Sequence, residues 1–80
     1  MQIEVKLFAV ARQLSGQDSV FVELTEPTVG GLRTALAEQI PALVPVLPTI
    51  TFAVNAQYAV DSTPLTPDSE VACIPPVSGG

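Results

Sequence analysis

Eighty residues make a single domain, and 48% hydrophobic content is enough for a modest core, a chain this short burying only about two-thirds of its unfolded surface. Eight acids against Lys6, Arg12 and Arg33 leave a formal charge of −5, which excludes a nucleic-acid backbone as partner and weakly favours a basic protein surface. With no histidine and one cysteine, an internal disulfide is impossible and the usual zinc and iron–sulfur ligands are lacking, which fits a reducing cytosol.

Residues 2–8 alternate, with Ile3, Val5 and Leu7 facing one way and Gln2, Glu4 and Lys6 the other. That period of two predicts a half-buried strand from almost the first residue. It also denies the N-terminus the continuous apolar stretch of a signal peptide. No apolar run approaches membrane-spanning length, so a soluble cytoplasmic protein is expected. Phe8 breaks the alternation, and Ala9 to Leu14 reads as a short helix that Gly16 ends in a left-handed cap. A second strand is expected over 19–24, with Val20, Val22 and Leu24 on one face and Phe21 and Glu23 on the other.

Pro27 punctuates the chain, and Thr28 is a good N-cap. Val29, Leu32, Leu36 and Ile40 then form one apolar stripe at helical spacing, and Pro41 stops the helix. Gly30-Gly31 falls in the first turn. It lacks the lysine and glycine spacing of a phosphate-binding loop. Three prolines between Pro41 and Pro48 rule out a regular helix or a central strand and leave a packed crossover loop. Ile50 to Val54 is a third strand, Asn55 suits a turn, and Tyr58 to Val60 is a short strand. The stretch 63–69 is a loop turning at Pro67-Asp68, and Glu70 to Ile74 is the last strand.

That strand runs into Pro75-Pro76-Val77-Ser78-Gly79-Gly80. Two prolines end the strand, and six extended residues reach roughly 20 Å. Two glycines ahead of the α-carboxylate make an end that fits a channel too narrow for side chains. The expected organisation is a body over 1–74 and a flexible tail over 75–80. The order of elements predicts an α+β layer, a mixed sheet covered on one face by one long helix.

The chain resembles the MoaD-type small subunit of molybdopterin synthase, of the ubiquitin-like sulfur carriers. The resemblance rests on Leu7-Phe8-Ala9 with Arg12 and Gly16, on Pro27-Thr28-Val29 with Leu32-Arg33, and on Ala53-Val54-Asn55. It continues through Pro64-Leu65-Thr66 and Glu70-Val71-Ala72 to the Pro-Pro-Val-Ser-Gly-Gly end. Two positions depart from the pattern: Asp68-Ser69 stands where Gly-Asp is usual, and Gly30-Gly31 is expected to loosen the first turn of the long helix. The resemblance implies a β-grasp fold with the first and last strands parallel at the sheet centre.

It also implies a reaction cycle. An E1-like adenylyltransferase (MoeB-type) uses ATP to adenylate the Gly80 carboxylate. A sulfur donor enzyme then gives a thiocarboxylate. The tail, Pro75 to Gly79 leading Gly80, enters the large catalytic subunit of a heterotetramer and delivers sulfur to a pterin precursor for molybdenum cofactor. No permanently bound cofactor and no metal are expected on this chain. The implied docking patch is Phe8, Tyr58 and Ile74, with Arg12 at its edge. Phe8 and Ile74 are equally readable as core, whereas Tyr58 belongs at the surface because its hydroxyl wants water. Cys73 shares a strand face with Val71 and is expected to be buried and inert, not the sulfur carrier. The alternatives are a carrier for thiamine thiazole or another sulfur pathway, a ubiquitin-like modifier joined to lysines through Gly80, and a plain interaction domain.

Overall fold

A computed structural model describes residues 1–75 of the chain, so the expected tail from Pro76 to Gly80 lies outside the described residues. Strand β1 (Gln2–Leu7) leads through a tight turn to helix α1 (Ala9–Ser15), and β2 (Ser19–Glu23) follows. Helix α2 (Val29–Gln39) comes next, then two 3₁₀ turns at Pro41–Leu43 and Leu47–Thr49. The chain ends in β3 (Thr51–Val54), β4 (Gln57–Tyr58) and β5 (Val71–Ile74). The five strands form one mixed sheet in the order β2-β1-β5-β3-β4. β1 and β5 are parallel, and every other pairing is antiparallel. This is the β-grasp arrangement with the first and last strands side by side at the centre.

The alternation in β1 gives the sheet its two faces. Ile3, Val5 and Leu7 point to the covered side with Val20 and Val22 of β2, Phe52 of β3, and Val71 and Cys73 of β5, all buried. Val29, Leu32 and Leu36 of α2 close over them, as the spacing predicts. The cover is more than one long helix. Ala11 of α1 is wholly buried, and the prolines of the crossover shape two 3₁₀ turns whose Leu43 and Leu47 also reach the core. Leu65, in the long loop before β5, is buried too, and its amide donates to the Pro27 carbonyl at 2.8 Å. The loop's expected turn at Pro67-Asp68 forms, with the Ser69 amide donating to the Thr66 carbonyl.

Both expected helix caps form. Gly16 has φ 72, and its N–H donates to the Arg12 carbonyl at 2.9 Å. The Thr28 hydroxyl accepts from the Gly31 amide at 3.0 Å. The first turn of α2, however, is tightened rather than loosened by its glycines. Val29 N–H donates to the Thr63 carbonyl at 3.0 Å and Gly30 N–H to the Asp61 carbonyl at 2.8 Å. A Cβ on Gly31 would lie 2.2 Å from the Glu26 carbonyl oxygen. Glycine is what lets the preceding loop press onto the helix there. Because those amides are satisfied inside the protein, the helix end has no free donors for a phosphate.

Arg33 joins the crossover to the sheet. Its guanidinium donates to the Leu47 carbonyl, to the Ile50 carbonyl at 2.9 Å and to Asp61 Oδ1 at 3.1 Å, and it lies 5.0 Å over the Phe52 ring. Ile50 immediately precedes β3, so this side chain sets where β3 starts.

Candidate docking face

Among the described residues no helix lies over the second face of the sheet. Register places Lys6 of β1 beside Ala72 of β5, Ala72 beside Ala53 of β3, and Ala53 beside Tyr58 of β4. In the next row Ile74 pairs with Thr51. One step past the Leu7–Cys73 pair, Phe8 comes beside Ile74. Phe8, Tyr58 and Ile74, far apart in sequence, therefore share one face.

Phe8 is not core: it is 49% exposed. The cause is local. Phe8 stays extended (φ −126, ψ 157), so it continues the outward side of the alternation, and Ala9 at φ 50 then swings the chain into α1. Ile74 is half-buried on the same side, and Tyr58 is 77% exposed with its hydroxyl in solvent. Arg12, one helical turn beyond Phe8, lines a shallow groove with Lys6, Phe8 and Asp18. Its Nε lies 2.7 Å from Asp18 Oδ1 in an ion pair, so its charge already has a partner.

Two contributors escaped the sequence reading. Phe21 of β2 is 59% exposed on this same face. Its pairing with Glu4 shows as much, and an aromatic on the polar side of an alternating strand was the available signal. Lys6 is the second. The ion pairs among the described residues engage the N-terminal amine, Arg12 and Arg33, and none engages Lys6. Beside it Ala72 and Ala53, being small, leave a trough of about 350 Å³ rimmed by Glu4, Lys6, Ser69 and Glu70.

The tail leaves from the end of β5, held on one side by β1 and on the other by β3. Pro75 is half-buried there, the last point on the described path towards Gly80. Cys73, one turn of the alternation earlier, points into the core and is fully buried. Burial pushes its thiol up to about 11, with the nearby Arg33 charge pulling the other way. A thiol so poorly ionised and so enclosed is a poor nucleophile. Among the described residues no group of His, Cys, Asp or Glu side chains could hold a metal ion.

A β-grasp sheet whose central parallel strand is followed in the sequence by a C-terminal Gly-Gly defines the ubiquitin-like carrier proteins. The chain belongs to the ThiS family, which it matches over residues 5–80. It is 40% identical to the molybdopterin synthase sulfur carrier subunit of Chlamydomonas reinhardtii over the whole of both chains. Its fold superimposes on SAMP1 from Haloferax volcanii with a TM-score of 0.86, at 31% identity and full coverage of both. It also matches the fold in the protein–protein complex of subunits 1 and 2 of molybdopterin-converting factor from Helicobacter pylori, with a TM-score of 0.70, 23% identity and full coverage of both chains.

Proposed function

We propose that this chain is the sulfur carrier subunit of molybdopterin synthase, and that Gly80 is its reacting residue. The observation that carries the reading is the full-length likeness to a sulfur carrier subunit, together with a central strand that runs straight into the Pro-Pro-Val-Ser-Gly-Gly end. A carboxylate is a poor electrophile until it has a leaving group. A Gly80 oxygen attacks the α-phosphorus of ATP in an E1-like (MoeB-type) partner, and pyrophosphate leaves. Hydrosulfide supplied by a donor enzyme then attacks the Gly80 carbonyl, the bond from that carbon to the AMP oxygen breaks and AMP leaves, giving the thiocarboxylate. The absence of a Cβ on Gly79 and Gly80 keeps that carbonyl open to attack. ATP is the activating partner's substrate, and the chain carries no cofactor of its own through the cycle.

The body's part is to dock. Phe8, Tyr58 and Ile74 are the apolar anchors for the large catalytic subunit, with Arg12 at the margin. Pro75 and Pro76 stiffen the base of the arm, which lowers the entropy lost when Val77, Ser78 and the glycines are threaded in, a loss of roughly 1–2 kcal/mol per ordered residue. The setting is the cytoplasm, where both the Cys73 thiol and a thiocarboxylate stay reduced.

Intact mass tests the reading, after incubation with the E1-like enzyme, ATP and a sulfur donor. It is run on Cys73→Ser, because thiol oxidation mimics the mass of one oxygen-to-sulfur exchange, with a Gly80-deleted control. A mass gain that needs both ATP and Gly80 is expected. Its absence with active partners would sink the carrier reading.

The likeness to SAMP1, a small archaeal modifier protein, favours one second reading, in which this chain is itself a modifier joined to lysines of other proteins through Gly80. That reading predicts a ladder of covalent adducts in cell extracts that vanishes when Gly80 is deleted, whereas the carrier reading predicts none.

A further inference from the structure

The open face carries more than apolar anchors: it is electrically polarised along the strands. Register that pairs Val5 with Val71 places Glu4 beside Glu70 one step back, and both line the same trough. Glu23 lies at that end as well, beside Gln2, but the N-terminal amine 3.5 Å away already pairs with it, so the uncompensated charge is that of Glu4 and Glu70. Two carboxylates adjacent across neighbouring strands repel each other, and no basic side chain of the described chain pairs with either. At the other end, towards Phe8, Ile74 and the tail exit, stands Lys6, the chain's one lysine and without an ion-pair partner among the described residues. Lys6 separates the acidic trough from the groove that Phe8 and Arg12 line. A partner that covers this face therefore desolvates one ammonium and a repelling pair of carboxylates. That is unfavourable unless each meets an opposite charge.

We propose that this polarity fixes the direction in which the large catalytic subunit sits, and that the subunit presents a carboxylate to Lys6 and a basic side chain to Glu4 and Glu70. The inference rests on the carrier reading. Apolar anchors alone give adhesion with little sense of orientation. A charge pattern that is wrong end to end is repelled, so it selects the one pose that aims the tail at the catalytic site.

The test is the double variant Glu4→Lys/Lys6→Glu. It keeps the net charge of −5, sets a base beside Glu70 and an acid towards the tail exit, and so removes the polarity. Both side chains are exposed, so the fold tolerates the exchange, and a thermal melt checks this. Lys6→Met supplies a milder second variant. Binding to the same organism's large subunit is measured at low and high salt, with Glu38→Lys, on the helical side, as a control that changes net charge without touching the face. The expected result is about tenfold or greater weakening for the double variant at low salt, a smaller loss for Lys6→Met, and a gap that narrows at high salt as the charges are screened. Wild-type-like binding by the double variant overturns the inference, as does a loss that salt leaves unchanged. Failure of the wild type to bind at all would instead sink the carrier reading, and the inference with it.

Discussion

Residue-level consequences are sharpest at Cys73. In a sulfur carrier the one thiol is the obvious suspect, yet it is fully buried beside Leu7 and Phe52 in the register. Cys73→Ser should therefore retain sulfur loading, while the buried hydroxyl lowers stability by about 1–3 kcal/mol, read from urea unfolding. The raised thiol pKa has a thermodynamic signature of its own. Unfolded, the thiol ionises near its ordinary value of 9.0; folded, it holds its proton up to about 11. Its contribution is therefore complete below pH 9 and is lost as pH rises between those values, because only the unfolded state releases the proton there. Wild type should lose stability relative to Cys73→Ala across that window, and parallel curves for the two proteins would refute the assignment. Ala56 offers a change of the opposite sign. It occupies the β3–β4 turn at φ 67, after Asn55 at φ 51. Ala56→Gly should relieve the left-handed strain and gain about 1 kcal/mol, seen as a higher melting temperature.

Among the elements, helix α2 shows how far pattern reaches and where it stops. Its cap, its stripe and its end at Pro41 are all local, and each is visible in the sequence as residue type at a fixed offset. The role of Gly31 is not, because it depends on the Glu26 carbonyl, which only the fold brings to 2.2 Å from the missing Cβ. By propensity alone Gly31→Ala would stabilise the helix by up to about 1 kcal/mol. Overpacking reverses the sign, and a loss of about 1–3 kcal/mol is expected in urea unfolding. Arg33 is a similar case. A helical arginine reads as a solvated side chain, but here it satisfies two carbonyls around the second 3₁₀ turn. Arg33→Met keeps the stem over Phe52 and removes the donors. It should cost about 1–3 kcal/mol, mostly from the orphaned carbonyls, since the half-exposed Asp61 contact contributes little. The short strand before the long loop spans Gln57–Tyr58 and not the expected Tyr58–Val60, because after the Asn55-Ala56 turn only two residues pair in register with β3.

At the scale of the whole molecule, the site is built by topology. The strand alternations told which residues of each strand point together, and the family resemblance supplied Phe8, Tyr58 and Ile74. That the three form one face with Lys6, Ala72 and Phe21 follows only from the order β2-β1-β5-β3-β4. The same order explains why a tail can serve as a reagent without weakening the body. Its last strand is pinned between β1 and β3, and among the described residues every core side chain lies before Pro75. Chain loss beyond the sheet should then separate chemistry from docking. Deleting Gly79-Gly80 should leave the melting temperature within a degree or two and abolish thiocarboxylate formation. Phe8→Ala and Tyr58→Ala, both on exposed positions, should do the reverse for the large subunit, each weakening its binding by about 1–2 kcal/mol while the fold stays intact. Loading followed by mass, and binding followed by calorimetry, would distinguish the two. If the tail deletion melted the protein, or if the anchor variants bound as tightly as wild type, the division into a docking body and a reacting end would fail.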